Sequence, residues 1–247
     1  MAAAPFKADS SAVPELRATA DLALYATCCL EQLLLGLPVP TLDADLIAPV
    51  RGLFVTIEKQ KEHTKGFGSW QLRGCIGTLS ETRTDTLGEF VAKSAFSDGR
   101  FDPMVQDELP LSRVKVSILV QFEPASSWDD WDVGTHGITL RLPAAKFGFS
   151  RSLSATYLPQ VMPEQGWTKL EAVQSLSLKA GLNRALRDDE LAHVQVERYQ
   201  SSIATITPSE YDRIKKTCGG IPTTIRGGMA EAALSKAMGP AGRSPGE

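Results

Sequence analysis

The sequence QLRGCIGTL, residues 71–79, carries the features that decide the fold of this chain and the place of its candidate site. It is an apolar run interrupted by an Arg, a Cys and two glycines, and a strand period of two places Arg73, Cys75 and Gly77 on one face. A guanidinium close to a sulfur favours the thiolate over the thiol. Glycines at positions 74 and 77 allow a backbone or a ligand to approach closely. The stretch therefore predicts a central strand that carries the functional site.

Each segment on either side of this strand shows the hydrophobic period of a strand or that of a helix. Strands outnumber the three main helices, and the two kinds of element do not alternate strictly, which predicts an α+β fold with mainly antiparallel sheets. Helices are predicted over residues 16–34, 84–97 and 163–181, and strands over residues 53–58, 112–123, 138–142, 147–157 and 194–201.

The two ends of the chain differ from its middle in composition. Residues 1–13 are small and polar and are predicted to be disordered. Residues 14–214 show patterned elements without a linker, which predicts one domain. From Cys218 the chain is rich in Gly, Ala, Ser and Pro, so residues 215–247 are predicted to form a disordered tail that is dispensable for folding, in which residues 229–238 could form a transient helix.

The composition excludes several function classes. Lys and Arg number 26 against 29 Asp and Glu, a net charge of -3 that gives no global attraction for nucleic acid or anionic lipid. The cysteines at 28, 29, 75 and 218 have neither a disulfide-framework nor a zinc-site spacing. No apolar run approaches the roughly 18 residues of a membrane span. We therefore expect an intracellular protein, cytoplasmic or nuclear, with no metal and no cofactor, because no nucleotide, metalloprotease or hydrolase motif is present.

Five motifs carry a resemblance to a known family: LRGCIG (72–77), SAFSDGRF (94–101), HGI (136–138), YLPQVMPEQGW (157–167) and RYQS (198–201). Together they resemble the AMMECR family, named after the Alport syndrome, midface hypoplasia and elliptocytosis chromosomal region. The resemblance implies an AMMECR-like domain with a larger and a smaller subdomain, and no settled activity. Some prokaryotic relatives occur beside a radical-SAM protein and a Memo-type protein, which implies a redox or radical modification pathway, whereas animal relatives resemble adaptors.

Two interpretations of the candidate site follow from these residues. In the first, Cys75 is a nucleophile, Arg73 lowers its pKa and orients an anionic group, and His136 supplies a proton. In the second, Cys75 is a small core residue and Arg73 pairs with Asp98 or with a backbone carbonyl. The candidate catalytic residues are Cys75 and His136, and the candidate binding residues are Arg73, Gly74, Gly77, Asp98, Arg100 and Phe101.

The function that these residues favour is a ligand- or protein-binding module, or adaptor, with the LRGCIG strand as its recognition site. Its partner is expected to be a protein or a small anionic ligand, and the oligomeric state is left open. A thiol-dependent enzyme using Cys75, Arg73 and His136 is the first alternative. Nucleic-acid binding is the second, since KGFG (65–68) matches half of an RNA-recognition strand, but Ser69 and Gln71 depart from the other half.

Overall fold

The computed structural model describes residues 15–61 and 69–237. The strands are β1 (Thr41–Leu42), β2 (Pro49–Gln60), β3 (Trp70–Arg83), β4 (Ser112–Pro124), β5 (Gly137–Leu142), β6 (Leu153–Tyr157), β7 (Gln195–Ile206) and β8 (Thr224–Ile225). The helices are α1 (Ala20–Leu34), α2 (Leu87–Phe96), α3 (Ala144–Phe147), α4 (Val161–Gln165), α5 (Lys169–Lys179), α6 (Asp188–Leu191), α7 (Pro208–Cys218) and α8 (Met229–Ala237). Three short 3-10 turns lie at Ala44–Leu46, Thr84–Thr86 and Gln106–Leu111.

The main sheet has six antiparallel strands in the order β3-β2-β4-β7-β5-β6, and β1 and β8 form a separate parallel pair. This confirms the predicted α+β fold with mainly antiparallel pairing. The described part of the chain divides into two compact units, a larger one of residues 16–61, 69–118 and 202–237 and a smaller one of residues 15 and 119–201. Strands β4 and β7 each continue from one unit into the other, which explains why the sequence shows no linker.

The larger unit is built around α1, whose side chains are buried along most of its length because its sequence is almost entirely apolar. Thr19 caps its N-terminus by accepting a hydrogen bond from the Leu22 amide at 3.3 Å. The inward side chains of β2, Leu53, Val55 and Ile57, are completely buried, as expected for alternate residues on a core-facing strand.

The C-terminal segment differs from the predicted disordered tail. Residues 215–237 complete α7 and form β8 and α8, and Ile225, Ala230 and Ala233 are buried. The carboxylate of Asp21 at the start of α1 accepts hydrogen bonds of 2.8 Å from the amides of Gly228 and Ala230, at the N-terminus of α8. A few small apolar contacts and a buried cap therefore fix a segment whose composition alone indicates disorder.

The core of the smaller unit lies between α5 and strands β5 and β6. Its buried apolar residues include Trp131, Ile138, Leu140, Val173 and Leu176. The single helix predicted over residues 163–181 is two helices, α4 and α5, because Gly166 adopts a left-handed conformation (φ 68°) and Thr168 then forms a capping box with Glu171. The strand predicted over residues 147–157 is confined to β6, since residues 144–147 form α3.

Candidate functional site

Strand β3 forms one edge of the sheet and pairs with β2 through a register that contains a bulge beside the signature. Ile57 lies opposite Gly74, but the next residue of β2, Glu58, lies opposite Leu72, so Arg73 is the extra residue. A bulge interrupts the alternation of side chains across a strand. The prediction that Arg73 and Cys75 share a face depends on an unbroken strand. Because the bulge lies at Arg73, the period of two does not hold between these two residues.

The guanidinium of Arg73 is bound by Glu108, which comes from the 3-10 turn before β4. Its Nε donates to Oε1 and its Nη2 donates to Oε2, both at 2.9 Å, and Nη2 also donates to the Asp102 carbonyl at 2.9 Å. These hydrogen bonds, with those from the Val105 amide and Lys59, lower the pKa of Glu108 to about 2. The carbonyl contact matches one of the two partners expected for Arg73, while the carboxylate is a residue that the sequence interpretation missed.

Both backbone groups of Cys75 are held by side chains that follow α2. The Cys75 amide donates to Asp98 Oδ2 at 2.9 Å, and the Cys75 carbonyl accepts from Arg100 Nη2 at 3.2 Å. Asp98 and Arg100 are themselves joined by hydrogen bonds of 2.9 and 2.7 Å. The pair thus occupies the hydrogen-bonding positions that a neighbouring strand would take at this edge.

The environment of Asp98 stabilises its charged form. Hydrogen bonds from the Arg100 side chain, and from the amides of Cys75 and Arg100, hold the pKa of Asp98 far below its usual range, although burial acts in the opposite direction. The side chain of Asp98 is only 5% exposed, whereas that of Arg100 is 56% exposed. The pair therefore presents a cation to solvent and keeps its anion beneath the surface.

The sulfur of Cys75 is half-buried and lies 3.2 Å from Thr56 Oγ1 on the paired residue of β2. The guanidinium groups of Arg73 and Arg100 are held by the carboxylates and carbonyls described above. The other cysteines differ, since burial raises the pKa of Cys28 and of Cys29 to about 12, and Cys218 is exposed. Whether Cys75 is reactive stays a prediction.

The two glycines of the signature are required by close packing within the protein. A Cβ at Gly74 would overlap the carbonyl oxygen of Ser94 in α2, and a Cβ at Gly77 would overlap the carbonyl oxygen of Leu53 in β2 and the ring of Phe54. Ser94 adds a second contact, since its hydroxyl accepts from the Ile76 amide at 2.9 Å. The close approach that each glycine allows is made here by the chain itself, by a helix at position 74 and by an aromatic ring at position 77.

Phe101 lies between the two arginines of the signature region. The guanidinium carbons of Arg73 and Arg100 are 5.9 and 5.5 Å from the centroid of its half-exposed ring. These residues line an open cavity of about 520 Å³ with Gly99, Asp102 and Glu108. The structure thus brings Arg73, Asp98, Arg100 and Phe101 together around the backbone of Cys75.

His136 lies in the smaller unit, whereas Cys75 lies in the larger one. Its Nδ1 accepts a hydrogen bond of 2.9 Å from the Asp132 amide, which leaves Nε2 as the nitrogen that carries the proton of a neutral ring. Its side chain is 12% exposed. The proposed proton transfer between His136 and Cys75 stays a prediction.

Three further features considered in the sequence are the KGFG segment, metal sites and membrane-spanning helices. The KGFG segment (65–68) lies outside the described residues. Within residues 15–61 and 69–237, no group of three or more His, Cys, Asp or Glu side chains is arranged to hold a metal ion. In the same ranges, no helix has the length and apolar character needed to cross a membrane.

Comparison with known proteins identifies relatives of the whole fold. A family model described as AMMECR1 matches residues 24–204. An uncharacterised protein of Arabidopsis thaliana is 38% identical over 177 residues, which cover 71% of this chain and 80% of the relative. An uncharacterised protein of Schizosaccharomyces pombe is 37% identical over 160 residues, covering 64% and 77%. The crystal structure of an uncharacterised protein from Pyrococcus horikoshii superposes with a TM-score of 0.55 at 24% identity, covering 75% of this chain and 90% of that one, which shows a shared fold.

Proposed function

This chain belongs to the AMMECR1 family, and we propose that it is a ligand- or protein-binding module whose recognition surface is formed by Arg73, Arg100 and Phe101 at the edge of β3. Such a surface needs side chains held in fixed positions with one side open to solvent. Arg73 is fixed by two hydrogen bonds to Glu108, and Arg100 by two to Asp98. Phe101 lies between them and faces an open cavity.

One observation carries this proposal: the hydrogen bonds of Asp98, Arg100 and Arg73 go to the backbone of Cys75 and to carboxylates, although Arg100 lies near enough to Cys75 for their charges to interact. Asp98 and Arg100 bind the amide and carbonyl of Cys75, and Arg73 binds Glu108. A cysteine nucleophile needs a nearby cation or base directed at the sulfur, and here the sulfur lies against the hydroxyl of Thr56. The arrangement favours a rigid surface over an activated thiol.

Alkylation of the native protein tests this proposal against the thiol-dependent enzyme. Iodoacetamide is added near neutral pH, and the modification rates of Cys75 and Cys218 are followed in the same sample by peptide mass spectrometry. The exposed Cys218 serves as an internal reference. We expect Cys75 to react no faster than Cys218, because Cys75 is half-buried with its sulfur against the Thr56 hydroxyl, whereas Cys218 is exposed.

Arg73→Gln is the diagnostic variant. If Cys75 reacts more than about tenfold faster than Cys218, and Arg73→Gln removes that excess, the sulfur is an activated nucleophile and the binding-module proposal fails. Lys146→Glu, a change at an exposed residue of α3, is the control for general effects of charge. Circular dichroism spectra of both variants confirm that folding is retained.

A selection for ligands tests the surface directly. Random displayed peptides are selected on the wild-type protein after depletion on Phe101→Ala. We expect enriched peptides whose binding is lost in Phe101→Ala and kept in Lys146→Glu. Enrichment only of peptides that bind both variants equally would place recognition on another surface and contradict the proposal.

A further inference from the structure

A second cavity lies at the paired ends of β2 and β3. This second cavity, of about 440 Å³, is lined by Lys59, Gln60, Lys61, Gln71, Leu72 and Arg73. Arg73 lines both cavities. We name the pair of cavities the Arg73 groove. Its lining follows the paired ends of β2 and β3 and then the turn after α2, a course that fits an extended chain better than a compact small molecule.

We propose that the Arg73 groove binds an extended acidic segment of a partner protein. This inference rests on the proposed function, since it specifies the partner of the same surface. Besides its shape, three features of the groove support this partner: its charged groups, its apolar side chains and its amide side chains.

The lining of the groove carries more cations than anions: Lys59, Lys61, Arg73 and Arg100 against the exposed Asp102 and the mostly buried Glu108. The side chains of Arg100 and Lys59 are 56% and 37% exposed, whereas those of their partners Asp98 and Glu108 are 5% and 13% exposed. Lys61 is exposed as well. A ligand in the groove therefore meets mainly positive charge at short range, although the formal charges of the clustered residues nearly cancel.

Apolar and amide groups along the groove match a peptide backbone and its side chains. Leu72 is 42% exposed and Phe101 is half-exposed, so each offers an apolar contact on one side of Arg73. Gln60 and Gln71 line the cavity, and an amide side chain both donates to a peptide carbonyl and accepts from a peptide N–H. These groups favour a peptide over an isolated inorganic anion.

The charge of the whole protein favours a short acidic peptide over nucleic acid. A net charge of -3 repels a long polyanion, and nucleic-acid surfaces normally combine many more cations on one face. A segment with a few carboxylates meets the local cations of the groove without carrying a dense line of phosphates past the rest of the surface.

Fluorescence anisotropy with defined probes tests the proposal. The acidic probe is a fluorescein-labelled peptide of about ten residues, roughly 33 Å when extended, with alternating Asp or Glu and Leu. The matched neutral probe replaces Asp and Glu by Asn and Gln, and the nucleic-acid probe is a labelled oligothymidylate of similar length. We expect the acidic peptide to bind most tightly, and its affinity to fall as salt is raised from about 50 to about 300 mM.

Two variants with the same change of charge localise the binding. Lys61→Glu lies in the groove, and Lys146→Glu lies on α3 of the smaller unit; both residues are exposed. Lys61→Glu should weaken the acidic peptide by about three- to tenfold, and Lys146→Glu should leave it unchanged. Equal weakening by both variants would show a general charge effect and overturn the groove as the binding site.

Other outcomes separate this inference from the proposed function. Equal binding of the acidic and neutral peptides, still lost in Phe101→Ala, would overturn the acidic partner and leave the recognition surface in place. Tighter binding of the oligothymidylate than of the acidic peptide would overturn the protein partner in favour of nucleic acid. An activated Cys75 in the alkylation experiment would instead remove the proposed function itself.

Discussion

The two edge strands of the sheet, β3 in the larger unit and β6 in the smaller one, are protected in different ways. At β3, the buried carboxylate of Asp98 accepts a hydrogen bond from the Cys75 amide, and Arg100, which is paired with Asp98, donates one to the Cys75 carbonyl. At β6, the exposed ammonium of Lys179 donates to the Thr156 carbonyl at 2.9 Å. A flexible lysine is a common way to protect an edge, whereas a fixed set of buried polar groups costs more to assemble. The contrast indicates that the edge at β3 is built for positional accuracy.

Gly74→Ala should give the largest effect, because it tests the contact between β3 and α2. Its Cβ would overlap the Ser94 carbonyl, a backbone atom that moves only if α2 shifts from the strand. We expect a loss of at least about 3 kcal/mol in the free energy of unfolding, measured by urea denaturation.

Gly99→Ala is the matched control for that variant. A Cβ at Gly99 meets nothing within 4 Å, so the substitution should change stability by less than about 0.5 kcal/mol. Similar losses for both glycines would show that the strand and helix do not depend on their close contact.

Asp98→Asn tests the polar closure of β3. The neutral amide loses the charged hydrogen bonds to Arg100 and keeps at most one acceptor for the Cys75 amide. We expect a loss of about 2 kcal/mol at neutral pH. Asp188→Asn, at an exposed residue of α6, is the control and should be nearly neutral. An equally small effect of Asp98→Asn would mean that the pair with Arg100 adds nothing to the edge.

The pH dependence of stability in the wild-type protein and in Asp98→Asn provides a further test. The pKa of folded Asp98 lies below its ordinary value near 4, so its charged form stabilises the fold above that pH, and the benefit declines as the pH falls further. The stability difference between wild type and Asp98→Asn should therefore be constant from about pH 5 to 7 and shrink below about pH 4. A difference that grows on acidification would contradict the assigned direction of the pKa shift.

Lys179→Met should have the smallest effect, since it removes the protection of β6. The ammonium of Lys179 is exposed and also lies 4.6 Å from the centroid of the Tyr157 ring, a contact that an apolar side chain partly replaces. We expect a change within about 0.5 kcal/mol. A loss as large as that of Asp98→Asn would remove the difference between the two edges.

The regular helices and strands of this fold can be predicted from the sequence, because an element that buries one face has apolar residues at a regular spacing. The strand around Cys75, the helix at residues 20–34 and β4 are examples. The bulge at Arg73 could not be predicted from this spacing, since it depends on the register between β3 and β2. Glu108 lies in an irregular segment, where no period connects a side chain with its partner.

The role of the candidate site stays a prediction, but the sequence motif does indicate which residues lie near one another there. Asp98, Arg100 and Phe101 were selected from the motif, and the structure places them beside Cys75 with Arg73. Their hydrogen bonds to the backbone could not be predicted, because pairing of Asp98 with the Cys75 amide requires the turn after α2 to fold back on β3. The docking of residues 215–237 could not be predicted from the sequence, because Asp21 lies 207 residues before Gly228, and a cap between such distant positions leaves no local signal.

The cap of α8 by Asp21 has a practical consequence for expressing this protein. The family match covers residues 24–204, and a shortened gene product with those limits would lack Asp21, α7 and α8. It would uncover the apolar surface of α1 against which α8 packs and remove the buried Tyr211 and Ile214. We expect such a fragment to aggregate during purification, because the region that the family model matches is shorter than the region that must be present for folding.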